Sequence, residues 1–314
     1  MATLGLRRFI RSRLSPQKTS GEPAAVGFPD PPIEGKSCVL VVLDSCRYDA
    51  LVQANSKCLA SLGDIQRRWS YASWTAPSHH NMLMGLLPHA SPSQTLASTV
   101  YREELQRWGE RLGLPDLGIG GMLPGLWLPD FLRDTLGYRT TGLVSMPVLH
   151  PHTPINRGFD TYKLMPSHND MSAMLDELRF FVERPGFALL NVGETHYPYA
   201  PTGEAELDLP RISGLRGTIR DMDQRLRDGN AVSAEEGDAF FDAAQLKRLQ
   251  ARQVDAVRSL EPLFEALFDL VPPGTWITVT ADHGELFGEA GYFGHGPIRH
   301  DKVHEVPLIE GRIR

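Results

Sequence analysis

Residues 276–285 read WITVTADHGE, an apolar run that ends abruptly in two ionisable side chains, Asp282 and His283. Two similar apolar runs occur earlier in the chain, CVLVVL at 38–43 and FALLNV at 187–192. Continuous rather than alternating apolar runs are typical of strands buried on both faces, as in a parallel sheet flanked by helices. The three runs therefore predict the core of one parallel sheet.

Helical periodicity lies between these runs. Apolar residues recur at three- and four-residue steps in MSAMLDELRFFVE at 171–183 and in DAAQLKRLQARQVDAVRSLEPLFEALFDLV at 242–271. Strands that alternate with helices predict an α/β fold with a doubly wound, mostly parallel central sheet flanked by helices. The polar, glycine-punctuated stretch 202–240 is expected to be an insertion over one face, either a lid or a solvated loop.

Length and composition limit the domain organisation. A chain of 314 residues with 41% hydrophobic and 22% charged residues can form one large domain with a sizeable core. We expect a basic and then Pro/Gly-rich arm over residues 1–36 and a single domain over 37–314. The arginine-rich stretch 1–14 carries scattered apolar residues, so a peripheral contact with a membrane or a protein is an alternative to a loose extension.

Charge and cysteine content narrow the partners and the compartment. A formal net charge of −6 argues against a general nucleic-acid binder and favours a small-molecule substrate. No apolar run is long enough to span a bilayer, and the basic N-terminus lacks the apolar core of a signal peptide. Cys38, Cys46 and Cys58 form an odd set without a CxxC pair, as expected of free thiols. These features predict a cytosolic protein.

Ionisable side chains follow the predicted strands at their carboxyl ends. Asp44 follows the first run, Glu194 and His196 follow the second, and Asp282 and His283 follow the third. Ligands bind at this edge of an open α/β sheet. Carboxylates and imidazoles together are suitable ligands for zinc or manganese. The sequence therefore predicts a divalent metal site, with a helix cap at Asp44 and a turn at Asp282 as the alternatives.

The stretch WTAPSHHNMLMGLLPH at 74–89 supplies a hydroxyl for this edge. Thr75 begins a segment that is predicted to turn helical, so its hydroxyl and the nearby N–H groups would face an anion. Ser78 is the second choice of nucleophile. The alternative is that Thr75 only caps the helix, whose first turn contains proline.

A glycine-rich stretch, GEAGYFGHGPIRH at 288–300, is flexible enough to fold back toward the end of the third strand. This would bring His295 close to Asp282. Other polar and aromatic side chains in these motifs are candidate substrate contacts. They are His79, His80, Tyr197 and His300.

Four motifs, in this order, resemble those of the alkaline phosphatase superfamily, in its sulfatase-like branch. They are VLVVLDSCRYDAL at 39–51, WTAPSHHNMLMGLLPH at 74–89, ETHYPYAP at 194–201, and TADHGELFGEAGYFGHG at 280–296 with VPLI after it. The resemblance covers about residues 38 to 309 and implies an alkaline-phosphatase-like fold. It also implies a metal-dependent hydrolase or transferase that acts on phosphate mono- or diesters.

The resemblance further implies roles for individual residues. Thr75 would be the nucleophile that forms a covalent phosphothreonine intermediate. It would also ligate one zinc or manganese ion, together with Asp44, Asp282 and His283. The second metal or the anionic group of the substrate would be bound by Glu194, His196 and His295, of which the two histidines are also catalytic candidates.

The chain departs from the sulfatase pattern at three positions. Thr75 stands where sulfatases have the cysteine or serine that becomes formylglycine, His79 replaces an arginine, and Asp44-Ser45 replaces two adjacent acids. These departures favour phosphate over sulfate, and the motif at 280–296 is most similar to that of phosphoethanolamine transferases. Lipoteichoic acid synthases and phosphonate monoester hydrolases are related. The alternatives are a sulfatase that uses threonine, a metal-dependent phosphomutase, and a non-catalytic anion-binding member.

Overall fold

The computed structural model describes residues 29–32, 34–90, 97–117, 126–201 and 242–314. The insertion predicted at 202–240, the stretch 1–14 and most of the N-terminal arm lie outside these ranges. No helix within them is both long and apolar enough to cross a membrane. The extent of a single domain over 37–314 stays a prediction.

Nine strands occur in the described residues. They are β1 (Cys38–Leu43), β2 (Gln66–Trp69), β3 (Arg139–Val144), β4 (Thr161–Leu164), β5 (Gly186–Val192), β6 (Trp276–Ala281), β7 (Leu286–Phe287), β8 (Phe293–Gly294) and β9 (Glu305–Arg312). Seven of them form one sheet in the order β2-β9-β6-β1-β5-β3-β4, and β7 pairs with β8 in a separate hairpin. Within the sheet, β9 is antiparallel to β6 and β2, and the other pairs are parallel.

Helices connect the strands of this sheet. They are α1 (Tyr48–Ala54), α2 (Lys57–Leu62), α3 (Thr75–Leu83), α4 (Ala97–Leu112), α5 (Leu128–Asp130, continued by a π-helical turn to Thr135), α6 (Met171–Glu177), α7 (Ala243–Ser259), α8 (Glu261–Leu270) and α9 (Asp301–His304). Short 3₁₀ helices occupy Pro147–Leu149, Pro154–Asn156 and Glu289–Gly291. The predicted α/β fold with a mostly parallel central sheet is confirmed.

The apolar run of β1 is continuous because both faces of the strand are covered. Val39, Val41 and Leu43 pack into one core cluster, together with side chains of α1, α2, α6, α7 and α8. Leu40 and Val42 pack into a second cluster on the opposite face, with side chains of α3, α4 and α5. Successive strand residues point to opposite faces, so a central strand needs apolar side chains at every position.

Two predicted helices differ from the structure at their ends. The segment predicted over 171–183 ends its helix at Glu177, because Leu178 turns extended and buries its side chain in the core. The segment predicted over 242–271 is divided into α7 and α8 at Leu260. Pro262 lies in the first turn of α8, where its missing N–H is tolerated.

Strand register fixes which residues meet at the carboxyl edge of the sheet. β1 and β6 are parallel neighbours, and Leu43 is paired with Ala281. The residues that follow, Asp44 and Asp282, therefore leave the sheet side by side. On its other side β1 is paired with β5, and Leu43 lies opposite Val192.

Candidate active site

Two buried aspartates form the floor of the site. Asp282 Oδ1 accepts hydrogen bonds from the backbone N–H groups of Ser45, at 3.0 Å, and of His283, at 2.9 Å. Asp44 Oδ2 accepts a hydrogen bond from the side-chain amide of Asn191 at 3.0 Å. Both carboxyl groups are fully buried, and these hydrogen bonds orient them.

The backbone fixes the orientation of His283. Its Nδ1 lies 2.9 Å from the carbonyl oxygen of Gly284, which can only accept a hydrogen bond. Nδ1 therefore carries the hydrogen, and the neutral ring presents a lone pair at Nε2. That Nε2 lies 3.3 Å from Asp282 Oδ2 and 3.4 Å from Thr75 Oγ1.

Three of these side chains have the donor chemistry of a divalent metal site. Ligand atoms of Asp44, Asp282 and His283 all lie within 4.8 Å of one another, and all three residues are buried. Asp282 Oδ2 is buried and accepts no hydrogen bond from any described residue. A buried oxygen without a partner is costly unless a cation or water satisfies it. The cluster therefore fits zinc, which takes carboxylate and imidazole ligands.

Thr75 is the first residue of α3, and the preceding residue, Trp74, is its N-cap. Thr75 therefore does not occupy the N-cap position from which a hydroxyl usually caps a helix. Thr75 is buried, with its Oγ1 beside His283, whereas the Ser78 hydroxyl lies 3.3 Å from that of Ser70. Of the two predicted hydroxyls, that of Thr75 contacts the aspartate and histidine cluster, through His283.

Three more histidines surround this cluster. The ring of His295 lies 4.0 Å from that of His283 and 5.6 Å from that of His196, measured between ring centroids. The glycine-rich stretch does fold back to the strand end, as predicted. His79 is fully buried, donates from Nδ1 to the carbonyl oxygen of Thr75 at 2.8 Å, and has no hydrogen-bond partner at Nε2 within the described residues.

Burial and neighbouring charges shift the pKa values of the ionisable side chains in the site in different directions. Burial by itself would raise the pKa of Asp44, but the nearby imidazoles of His196 and His283 and the hydrogen bond from Asn191 lower it. Burial, and then repulsion from Asp44, raise the pKa of Asp282 well above its usual value. Burial lowers the pKa of His283 to about 4. The imidazole is therefore neutral at physiological pH, as a metal ligand must be.

Three other residues predicted around the site contact neighbouring structural elements. Glu194 is buried and accepts a hydrogen bond from the backbone N–H of Met171, at the start of α6. His300 accepts one from the N–H of Lys302 and caps α9. His80 is half-buried, with its ring 5.6 Å from that of Trp127.

Tyr197, also predicted as a substrate contact, lies in an aromatic group on the glycine-rich hairpin side of the site. Its ring meets the edges of two others, Tyr199 at 5.7 Å and Phe293 at 5.9 Å. Because Phe293 belongs to β8, this packing helps to hold the hairpin that carries His295. Tyr199 is fully buried and Tyr197 is half-buried.

Several residues of the site are missing from the sequence-based prediction. Asn191 orients Asp44, and it is the single polar side chain in the otherwise apolar run FALLNV, which is a signal in the sequence. Glu285 accepts hydrogen bonds from the Tyr199 hydroxyl and contacts Nδ1 of His295 at 3.2 Å. Gln253 of α7 donates to the carbonyl oxygen of Ser45 at 2.9 Å. The position of Gln253 has no counterpart in any local sequence pattern.

Comparisons with known proteins give matches in structure. No protein-family model matches the sequence, and neither does any curated protein sequence. The chain is similar to the zinc complex of the C-terminal periplasmic domain of EcEptC from Escherichia coli (14% identity, TM-score 0.50, 94% of this chain and 78% of that chain). It is also similar to the soluble domain of lipooligosaccharide phosphoethanolamine transferase A from Neisseria meningitidis (14%, 0.50, 90% and 78%).

A sulfatase is similar as well. BT1596, a 2-O GAG sulfatase, matches with 11% identity and a TM-score of 0.52, over 90% of this chain and 66% of that chain. The chain thus has a fold that is found in both phosphoethanolamine transferases and sulfatases. The predicted resemblance is confirmed at the level of the fold, which this chain shares with a phosphoethanolamine transferase and a sulfatase.

The predicted cytosolic location is wrong by the same comparison. The EcEptC structure is that of a C-terminal periplasmic domain. The cysteine count was a poor guide to the compartment, because Cys38, Cys46 and Cys58 are free and buried. A thiol that is packed in a core is inert, so it does not report the redox state of its surroundings.

Proposed function

We propose that this protein is a metal-dependent hydrolase or transferase of phosphate esters, with Thr75 as its nucleophile. One observation carries the proposal: the Thr75 hydroxyl lies 3.4 Å from the lone pair of His283, beside two buried aspartates. A buried hydroxyl next to a compact set of anionic and imidazole ligands has no evident role in packing. The fold, which phosphoethanolamine transferases share, supports the same function.

Asp44, Asp282 and His283 would hold the cation, with Thr75 as a further ligand, and zinc is the metal that this donor set favours. A bound zinc ion would supply positive charge that lowers the pKa of a hydroxyl and polarises a phosphoryl oxygen. The unpartnered Oδ2 of Asp282 supports this assignment.

The protein's own groups would then carry out two displacements at phosphorus. Thr75 Oγ1 loses its proton to solvent and forms a bond to phosphorus, while the ester bond breaks and the leaving oxygen takes up a proton. Water or an acceptor alcohol next attacks the phosphothreonine and regenerates the threonine hydroxyl. The N-terminal end of α3, where Thr75 lies, would favour the anion during both steps through the positive end of the helix dipole.

His196 and His295 are the best placed of the remaining candidates to contact the transferred group. Their rings meet edge to face with centroids 5.6 Å apart, and the ring of His295 lies 4.0 Å from that of His283. Glu194 Oε1 accepts a hydrogen bond from the start of α6, so Glu194 would contact a second metal or the substrate anion through its other oxygen, Oε2.

The proposal is tested with the purified, zinc-loaded protein and three substrates: an aryl phosphate monoester, an aryl phosphate diester and an aryl sulfate. We expect zinc-dependent turnover of a phosphate ester and a phosphorylated Thr75 in peptides from acid-quenched enzyme. If the aryl sulfate were turned over faster than either phosphate ester, the substrate class would be sulfate esters instead of phosphate esters. Zinc binding without turnover of any ester, or an isomer in place of free phosphate, would overturn hydrolysis and transfer to an acceptor.

A further inference from the structure

Three histidines of the site are oriented by backbone carbonyl groups through the same ring nitrogen. Nδ1 lies 2.8 Å from the Thr75 carbonyl oxygen in His79, 2.9 Å from that of Tyr197 in His196, and 2.9 Å from that of Gly284 in His283. A carbonyl oxygen can only accept, so each Nδ1 carries the hydrogen and each Nε2 has the lone pair in the neutral ring. The main chain sets these three tautomers.

His295 is different, because a side chain replaces the carbonyl group. Its Nδ1 lies 3.2 Å from Oε1 of Glu285 and 3.4 Å from the Ser45 hydroxyl. The second oxygen of Glu285, Oε2, accepts a short hydrogen bond from the buried Tyr199 hydroxyl. Glu285 and His295 are both almost completely buried. A carboxylate is therefore interposed between a tyrosine and the imidazole.

The hydroxyl of Ser45 indicates which atom holds the hydrogen. Ser45 Oγ lies 3.2 Å from Oδ1 of Asp44 and donates its single hydrogen to that oxygen. Toward His295 the same hydroxyl can then act only as an acceptor. With Glu285 ionised, two acceptors thus converge on Nδ1 of His295, which is the arrangement expected around an N–H group; burial raises the pKa of Glu285 to about 7, so the arrangement is read above that pH.

We propose that Glu285, supported by Tyr199, is a positioning residue that holds His295 in the tautomer with hydrogen on Nδ1, so that Nε2 presents a lone pair to the site. Metal-binding histidines commonly have such an outer carboxylate, which fixes the ring and makes it more basic. Asp282, the first acid after β6, lies in the aspartate and histidine cluster. Glu285, three residues later, contacts the imidazole of His295 from the glycine-rich stretch.

The assignment restricts what His295 can do. In this tautomer Nε2 can bind a cation or accept a proton, and it can donate to a phosphoryl oxygen only after it takes up a second proton. The catalytic consequence rests on the proposed function: His295 would act as a proton acceptor or as a cation ligand, rather than as a neutral donor to the anion. The tautomer itself does not depend on that function.

The test reads the tautomer directly, in metal-free protein labelled with ¹⁵N-histidine. Long-range proton–nitrogen spectra at a pH where the imidazoles are neutral distinguish a protonated from an unprotonated ring nitrogen. A His295→Gln variant identifies the His295 signals. We expect the protonated nitrogen at Nδ1 in the wild-type protein, and a protonated Nε2 there would overturn the proposal. The wild-type spectrum needs no variant to fold.

Two substitutions then test the role of Glu285. Glu285→Gln keeps an acceptor oxygen and should keep the tautomer, whereas Glu285→Met has a similar shape without oxygens and should shift His295 toward protonation at Nε2. His283 is the internal control, because its carbonyl partner is untouched and its signals should not move. An unchanged His295 in Glu285→Met would assign the tautomer to Ser45 alone and refute the role of Glu285.

Activity provides a second measurement, which separates this proposal from the proposed function. With zinc and a phosphate ester, Glu285→Met should lower kcat by about 10- to 100-fold, and Glu285→Gln should restore most of the loss. If Thr75→Ala retained full activity, the proposed function would be refuted, but the assignment of the His295 tautomer would be unaffected. If the two Glu285 variants lost activity equally, the positioning role would fail while the nucleophile stood.

Discussion

Thr75 Oγ1 lies 3.4 Å from Nε2 of His283, although 208 residues separate the two in the chain. Helix α3 delivers the hydroxyl and strand β6 delivers the ring. Because Nδ1 of His283 donates to the Gly284 carbonyl oxygen, it is the lone pair of Nε2 that faces the hydroxyl. In the proposed function the two side chains share a cation, and substitutions at each side of this contact should have separable effects.

Replacing the hydroxyl should remove catalysis and leave the fold intact. Thr75→Ala is expected to lower kcat/KM for an aryl phosphate by about a thousandfold or more, since a nucleophile acts only in the chemical step. Ser78→Ala is the matched control, because that buried hydroxyl contacts Ser70 and should be dispensable. Rates are compared at equal zinc occupancy. Equal losses in the two variants would argue against a distinct role for Thr75.

Asp282→Asn should abolish tight zinc binding without lowering the thermal stability of the metal-free protein. The asparagine carbonyl oxygen can still accept from Ser45 and His283, and the repulsion between Asp282 and Asp44 is removed. We expect a Tm of the metal-free variant at or above that of the wild type, with no further rise on adding zinc.

The zinc content of Asp282→Asn, measured by elemental analysis, should fall in parallel. Asp170→Asn is the control, because Asp170 caps α6 and asparagine caps a helix equally well. That variant should bind zinc as the wild type does. A zinc-dependent rise in Tm that is equal in Asp282→Asn and wild type would exclude Asp282 as a ligand.

Gly284 should tolerate no side chain. A Cβ at this position would overlap the carbonyl oxygen of Lys302 and lie 3.3 Å from that of Glu305, and both atoms belong to the backbone. Gly284→Ala should lower the free energy of unfolding by about 3 kcal/mol or more, because rigid overpacking is not relieved by side-chain rotation. The measurement is urea unfolding of the metal-free protein, followed by fluorescence.

Gly291→Ala is the control for this clash. The space around Gly291 is open, but its φ of 79° lies in the left-handed region, so alanine there should cost only about 1 kcal/mol. If the two glycine variants were equally destabilised, the clash with Lys302 would not be the cause.

Arg47 should stabilise the region around the hairpin in a pH-dependent manner. Its guanidinium is 2% exposed and donates to Asp49 at 2.8 Å and to Glu289 at 2.6 Å. Burial tends to raise the pKa of each carboxyl, but the hydrogen bonds and charge of Arg47 lower it below the ordinary values of 3.8 and 4.5. Arg47→Met should lower the free energy of unfolding by about 2 to 3 kcal/mol at pH 7.

The sign of the pH dependence follows from the lowered pKa values. A carboxyl whose pKa is lower in the folded state contributes stability above its unfolded pKa and loses it as the pH falls through the folded pKa. The difference between wild type and Arg47→Met should therefore shrink below about pH 4. Arg258→Met, which breaks an exposed pair with Asp255, should change stability by about 0.5 kcal/mol or less at either pH. A difference that grows in acid would contradict this account.

Much of the fold was predictable because a strand that is buried on both faces has a continuous run of apolar residues. The runs ending at Asp44 and Asp282 had to be central strands, since a half-buried strand would alternate. Helix ends were less predictable: Leu178 has the right spacing for a helix, but the core it packs into is formed by distant residues. A local pattern carries no information about such a partner.

The sequence predicted which types of residue would lie near the site better than it predicted what each of them contacts. Glu194 and His300 have the same ionisable groups as Asp44, Asp282 and His283, and nothing near them in the chain shows that they accept hydrogen bonds from Met171 and Lys302. Glu285 was overlooked although it follows Gly284 directly. Its partners, Tyr199 and His295, come from two other loops, so its role exists only in the folded chain.

The sequence by itself determined that an acid and an imidazole, Asp282 and His283, stand at the tip of a buried strand, because periodicity and residue type are local properties. Tertiary structure decided that Asp44 stands beside Asp282, through the pairing of Leu43 with Ala281. It also decided that the Ser45 hydroxyl meets Nδ1 of His295, 250 residues further along the chain. Both depend on hydrogen bonds between segments far apart in the chain, and these form only when the strands of the sheet have paired.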